Sequence, residues 1–358
     1  MKSSVKILLV QTAFLGDLVL STPVIDGIKE LYPEAKLSLL TTPAGKTLFE
    51  GDPRLETVEA FEKRRGVLAL GGLLSKVRQL RSEKYDIAFS LHRSFRTSLL
   101  LFLSRIPTRI GFADAHGAFL YTERAKRIKS KHAVERFLSL LYAQWIGGGL
   151  NETELFNRDL SLASLAQPTS DACGAIVLVP GSAWKTKQWN WNRYRELSER
   201  LLNEGERVVL AGSAEERALC ETIRDGRTEI LNVAGELSLQ EFVALVRFSK
   251  ALVCNDSFAL HVASATRVPC VSIFCATSPE FGFGPWRNPN AKVVPKDGLW
   301  CKPCRRHGSN SCPTGTEHCM RGVGAEEVRH ELFQILRDSE GGSTSPSHRQ
   351  FEQKVAPV

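Results

Sequence analysis

Residues 251–279 read ALVCNDSFALHVASATRVPCVSIFCATSP. An apolar run, Ala251 to Cys254, stops at Asn255-Asp256-Ser257; a helical pattern follows, and a second apolar run, Pro269 to Phe274, stops at Ala276-Thr277-Ser278-Pro279. This pattern predicts a strand, a helix and a second, parallel strand. Loops at the carboxyl ends of parallel strands form a ligand crevice, and a helix opening there turns unpaired backbone N–H groups outward. Asp256, Ser257 and His261 are therefore expected where a phosphorylated ligand would be held. Helix capping is the simpler role for Asp256 or Ser257.

The same alternation extends outward from this unit. Ala175 to Val179 reads as a strand ending in Pro180-Gly181-Ser182 and leading to Ala183-Trp184-Lys185-Thr186-Lys187-Gln188-Trp189. A helix is expected from Asn192 to Glu204, a strand from Arg207 to Ala211 that ends near Glu215, and a capped helix from Ser238 to Lys250. The amino-terminal half repeats the scheme. Strands are predicted at Val5–Gln11, Lys36–Thr41, Val58–Phe61, Tyr85–Leu91 and Arg109–Phe112. Helices are predicted at Leu18–Leu31, Pro43–Glu50, Gly66–Ser82 and Lys131–Trp145. Asp17 falls in the first strand-to-helix loop, where a helix amino terminus favours a charged carboxylate.

Leu160 to Gly174 is rich in Ser, Ala, Pro and Thr and reads as a linker. The chain thus divides into an amino-terminal domain, 1–160, a linker, 161–174, a carboxy-terminal domain, 175–338, and a polar tail, 339–358, expected to be disordered. With 358 residues the chain exceeds a usual single core, which agrees with two α/β halves holding a ligand in the cleft between them.

No run of about 18 apolar residues occurs, so no membrane-spanning helix is expected. Gln11, Gly16 and Asp17 interrupt the opening apolar run, which reads as a buried strand rather than a signal peptide, so the protein is expected in the cytoplasm. The net charge of +8 is partly concentrated between Arg93 and Arg136. That basic half suits a phosphorylated substrate or an anionic lipid surface. Without a zinc finger, a helix-turn-helix or an RNA-binding aromatic pattern, nucleic acid is not an expected partner.

Both common nucleotide fingerprints, G-x-G-x-x-G after a strand and G-x-x-x-x-G-K-[ST], are missing. In their place stand strand-end groups of one domain: Ser182, Lys187, Glu215, Asp256, Ser257 and His261. A lysine supplies compact positive charge for phosphate, while hydroxyls and helix-start amides supply donors. Such fixed donors help most where a diphosphate leaving group gathers charge.

P-G-S-x-x-K-T-K-Q-W, the C-N-D-S-x-x-x-H-V-A-S-A segment followed by T-S-P, and the amino-terminal G-D-L-V-L-S-T-P together resemble family 9 glycosyltransferases. These are the bacterial heptosyltransferases of lipopolysaccharide inner-core assembly. H-R-S-F-R-T after the fourth strand and V-E-R-F before the linker look like the heptosyltransferase II branch. The resemblance implies a GT-B fold: two Rossmann-like domains, with parallel sheets facing a central cleft, the first for the acceptor and the second for a nucleotide-sugar donor such as ADP-heptose. It implies inverting transfer without a metal. Asp17 would be the base on the acceptor hydroxyl, and Lys187 would contact the donor phosphates. Ser182, Asp256, Ser257 and His261 would hold the donor, with Glu215 at the adenosine ribose. Arg93, Arg96 and His132 are candidate contacts for a lipid-linked core oligosaccharide at the inner face of the inner membrane. Phe258 stands where many relatives carry glycine, so its side chain is expected to point away from the donor.

Cys301, Cys304, Cys312 and Cys319 lie within 19 residues. Free thiols are the first reading in a reducing compartment; the opening C-x2-C also suits a structural zinc, although the second pair is irregularly spaced. Transfer to another glycan or to a protein is the alternative activity, and a binding module without its base is a non-enzymatic one. The presence of both Asp17 and Lys187 argues against the latter.

Overall fold

A computed structural model describes residues 4–62, 68–163, 166 and 173–341. Twelve described strands form two sheets. The first contains β1 (Lys6–Val10), β2 (Lys36–Thr41), β3 (Thr57–Ala60), β4 (Ile87–Ser90), β5 (Thr108–Phe112) and β6 (Glu123–Ala125). The second contains β7 (Ile176–Val179), β8 (Val208–Leu210), β9 (Ile230–Asn232), β10 (Ala251–Asn255), β11 (Cys270–Phe274) and β12 (Ala291–Pro295). Every neighbouring pair is parallel. The orders are β3-β2-β1-β4-β5-β6 and β12-β11-β10-β7-β8-β9.

Each half therefore has the doubly wound order. Its chain reverses direction of travel beside its first strand, at β1/β4 in one sheet and β7/β10 in the other. That switch point is where a crevice opens at the carboxyl ends. Continuous apolar runs made these central strands recognisable because helices cover both faces: Ile7, Leu8, Leu9 and Val10 are all buried, as are Ala251, Leu252, Val253 and Cys254. Each fully buried leucine or isoleucine contributes roughly 1.5–3 kcal/mol. One apolar cluster runs from β1 and Leu18 through Phe137 and Leu141 to Leu260 and Phe274, joining the two halves.

The structure corrects several boundaries. The expected Leu18–Leu31 helix is two helices, Leu15–Leu20 and Thr22–Leu31. Ser21 and Thr22 bend the chain there by bonding back to the carbonyls of Leu18 and Val19, at 2.8 Å each, and Pro23 starts the second helix. Asp17 consequently lies inside a first helical turn rather than in the preceding loop. The expected Lys131–Trp145 helix also divides, into Ala133–Leu138 and Tyr142–Gly147, with Ser139 bonding back to the carbonyl of Arg136. Strands β6 and β12 were not expected. Each is a partly exposed edge strand with charged residues in place of an apolar run. The final helix runs from Ala325 to Gly341, so the beginning of the supposed tail is helical; the rest of the tail, most of the linker and the start of the 66–82 helix lie outside the described residues.

Candidate functional site at the cleft

On the carboxy-terminal sheet, Asn255 organises the donor-side loops. It is fully buried at the end of β10; its Nδ2 donates to the carbonyls of Pro180 (2.8 Å) and Gly181 (3.2 Å). Its Oδ1 accepts from the backbone of Trp189 (2.9 Å) and from the Tyr194 hydroxyl (3.3 Å). One amide thus ties the P-G-S loop to the segment containing Lys187, and Gln188 adds a bond to the carbonyl of Ser182 at 3.0 Å. The sequence reading missed Asn255 because, beside Asp-Ser, an asparagine looks like loop chemistry.

Held this way, Lys187 places Nζ 2.7 Å from Oδ2 of the buried Asp256, and Thr277 donates to the same oxygen at 2.7 Å. Asp256 is thus an anchor for the lysine as well as a group on the crevice. Ser182 donates from Oγ to the carbonyl of Asp256 at 3.4 Å. Ser257 Oγ and His261 Nδ1 are buried and have no hydrogen-bond partner among the described residues. Burial pushes the imidazole of His261 down to about 3, partly opposed by Asp256, so the ring is neutral.

The amino-terminal sheet brings Asp17 to the same place. Burial pushes its carboxyl up to about 6, against the pull of Arg136, Lys187 and Arg127 and a backbone hydrogen bond from Phe14. The helix bearing Asp17 lies against the donor-side helix that follows Asp256, with Gly16 facing His261, so Asp17 and the Lys187–Asp256 pair open on one cleft. At its floor the halves nearly touch. A methyl group on Gly16 would sit 2.9 Å from Cδ2 of His261, too close for ordinary contact, so only glycine permits this approach without a shift.

His132 does not stand free for a substrate. Its Nε2 donates to the carbonyl of Gly284 (3.1 Å), its Nδ1 accepts from the backbone of Val134 (3.3 Å), and its ring stacks on Trp286 with centroids 4.7 Å apart. Burial lowers it to about 4, so it is neutral. Four residues on, the buried Arg136 donates to the carbonyl of Phe281 at 3.0 Å and lies 5.1 Å from the Phe283 ring centroid. Burial and neighbouring arginines lower Arg136 to about 10, leaving it charged. With Ala133 donating to the carbonyl of Gly282 (2.8 Å), these contacts form a latch between the halves. The sequence placed Arg136 only in the basic stretch and in V-E-R-F, because its partners Phe281 and Phe283 lie in the other half.

Arg93, at the end of β4, pairs with Asp114 (3.0 Å), which also faces Arg127 (3.7 Å) and Lys129 (4.0 Å). Arg96 lies over the ring of Phe61 at 5.2 Å. Glu215 is exposed, whereas its neighbour Glu216 turns inward. The Glu216 carboxylate accepts from the backbone of Ser213 at 2.8 Å and covers both Gly181 and Gly212, filling the space their side chains would need. The acidic group brought against the P-G-S loop is therefore Glu216, while Glu215, the residue expected at the adenosine ribose, is open to solvent. Phe258 packs beside Phe242, ring centroids 5.8 Å apart.

The cysteine-rich loop packs behind Lys187. Thr186 and Ser309 exchange hydrogen bonds of 2.8–3.0 Å, Cys304 donates from its backbone to Ala276 (2.9 Å), and Lys302 donates to the carbonyl of Phe274 (2.7 Å). Cys301, Cys304, Cys312 and Cys319 are free thiols, and among the described residues no group of three or more Cys, His, Asp or Glu side chains is arranged to hold a metal. Cys304 donates to the carbonyl of Cys301 (3.0 Å), while Cys312 contacts Thr314 (3.3 Å).

Two doubly wound lobes, with a carboxylate at the switch point of one and an anchored lysine at that of the other, define a GT-B glycosyltransferase. The family model described as glycosyltransferase family 9 (heptosyltransferase) matches residues 73–313, and the chain belongs to that family. It is 29% identical over 301 residues to lipopolysaccharide heptosyltransferase 2 of Salmonella typhimurium, covering 77% of this chain and 84% of the relative. It is 23% identical over 346 residues to lipooligosaccharide heptosyltransferase 2 of Campylobacter jejuni, covering 93% and 99%. Among solved structures it resembles E. coli ADP-heptose lipopolysaccharide heptosyltransferase II (TM-score 0.75, 24% identity, 94% and 99% covered). It also resembles E. coli heptosyltransferase WaaC with ADP (TM-score 0.75, 17% identity, 92% and 99% covered).

Proposed function

We propose that the protein transfers a heptose from ADP-heptose to a lipid-linked inner-core oligosaccharide of lipopolysaccharide, with inversion, at the inner face of the inner membrane. The observation that carries this reading is the approach of the helix bearing Asp17 to the donor-side helix that follows Asp256, the partner of Lys187, with Gly16 against His261. Asp17 takes the proton of the acceptor hydroxyl as that oxygen attacks the anomeric carbon. The bond from that carbon to the diphosphate breaks on the opposite side, and ADP leaves. Lys187 and the amides at the start of the Phe258–Thr266 helix meet the charge that the diphosphate gains. A base titrating near 6 is mostly ionised at pH 7 yet still basic enough to accept a proton in the transition state.

In this reading Ser257, His261 and Ser182 line the donor pocket, an acidic residue of the 215–216 turn faces the ribose, and Arg93, Arg96 and Arg127 draw an acceptor bearing phosphate or carboxylate groups. His132 holds the lobes together. The names of the relatives support lipopolysaccharide as the acceptor. The test is release of ADP from ADP-heptose with truncated lipopolysaccharides, or with other glycans and proteins, as acceptors. ADP release that depends on a heptose-deficient core supports the reading. Release only with a protein or an unrelated glycan would replace it.

A further inference from the structure

The rim of the amino-terminal half carries an aromatic pair that no described residue covers. Phe95, the first residue of the Phe95–Leu103 helix, is 46% exposed, Phe119 is 69% exposed, and their ring centroids are 6.3 Å apart. The pair is rigidly mounted. Ser98 donates to the hydroxyl of Tyr121 (3.0 Å), that hydroxyl donates to Ser90 (2.9 Å), and His116 bonds to the carbonyl of Arg93 (3.1 Å), fixing the 116–121 loop against the helix. Exposed, ordered aromatic rings close together mark interaction sites on soluble proteins.

The charge around the pair is net positive. Arg93, Arg127 and Lys129 share the single carboxylate of Asp114, leaving net positive charge, and Lys129 is 74% exposed. Arg124 is exposed within β6, and Lys126 and Lys131 are exposed on the connection that follows it. Ordered aromatic rings flanked by lysine and arginine match the boundary between lipid headgroups and acyl chains, where rings enter and cations meet anionic phosphates. All these loops follow β4, β5 or β6 at the sheet edge that also carries Asp17.

We propose that Phe95, Phe119 and the cationic segment 124–131 dock this face on an anionic lipid bilayer, so that the cleft opens toward the membrane. The inference rests on the proposed function only in taking the acceptor to be lipid-borne.

Vesicle flotation tests it directly, comparing phosphatidylcholine vesicles with vesicles that also contain phosphatidylglycerol. The wild-type protein floats with the anionic vesicles, and Phe95→Ser/Phe119→Ser weakens that binding on the order of tenfold or more. Phe248→Ser, which removes an equally exposed ring beside the amino-terminal edge of the other sheet, leaves flotation unchanged. On a delipidated, water-soluble acceptor the double variant turns over as the wild type does, while on vesicle-borne acceptor its rate falls with its binding. Undiminished flotation of a folded double variant, equal loss in Phe248→Ser, or equal wild-type binding to neutral vesicles overturns the proposal. Phenylalanine-dependent flotation by a protein that transfers to no core acceptor would leave the docking face standing and remove the proposed reaction instead.

Discussion

Nζ of Lys187 lies 2.7 Å from Oδ2 of Asp256, an oxygen that Thr277 also engages at 2.7 Å. The lysine is therefore oriented before any donor arrives, and its side chain has little rotamer freedom left to lose on binding. Lys187→Ala is expected to lower kcat/KM by about 100-fold, and Asp256→Ala by a similar factor. The double variant should lose little more than either single variant, because each removes the same oriented charge. Initial rates and calorimetric titration with ADP measure this; fully multiplicative losses would show that the two act independently.

Asp17 sets the pH dependence. Its carboxyl titrates near 6, so kcat/KM should fall about tenfold for each pH unit below that value, and Asp17→Asn should remove nearly all turnover while ADP still binds. Stability moves the other way. A folded-state value above the usual carboxylate range means that the folded protein holds its proton longer than the unfolded chain. The contribution is fully favourable below about 4 and is lost as pH rises through 6. Asp17→Asn should therefore melt higher than the wild type at pH 8, and the gap should close near pH 4. A constant gap across that range would mean that Asp17 is not the group being titrated.

Gly16→Ala tests how closely the lobes must approach. The added methyl would meet His261 at 2.9 Å, and a buried ring has little room to retreat. Turnover is expected to drop on the order of 10- to 100-fold, with a much smaller change in melting temperature, since the cores of both lobes are untouched. Wild-type turnover in the variant would show that the two helices separate during the reaction.

The latch separates positioning from substrate contact. Arg136→Ala leaves the carbonyl of Phe281 without its partner and empties the space over Phe283; a loss of about 2 kcal/mol, or roughly 4–8 °C in Tm, is expected. His132→Phe keeps the stack on Trp286 but loses the bond to Gly284, so Tm should fall while the acceptor KM stays within about twofold. A tenfold rise in acceptor KM with unchanged stability would make His132 a substrate contact after all.

The centre of each sheet was legible because strands buried on both faces are written as unbroken apolar runs, Ile7 to Val10 and Ala251 to Cys254 among them. Edge strands β6 and β12 carry no such run. Their pairing comes from the neighbour already in place, which no local window contains. Asp17, Lys187 and Asp256 were legible because each follows an obvious strand at a switch point. The packing of Glu216 on the P-G-S loop was not, since it depends on how a single turn at 214–216 rotates adjacent side chains. His132 was misread and the role of Arg136 missed for a related reason: their partners, Gly284 and Phe281, lie about 150 residues away, and only the meeting of the lobes shows what their polar groups are for.

The ladder between Thr186 and Ser309 joins a surface loop bearing four sulfur atoms to the residue next to Lys187. Anything that changes the covalent state of those sulfurs, whether air, an alkylating reagent or an added metal salt, pulls on the backbone that aims the ammonium group. Preparations differing only in how their thiols were handled would then differ in how tightly they grip nucleotide.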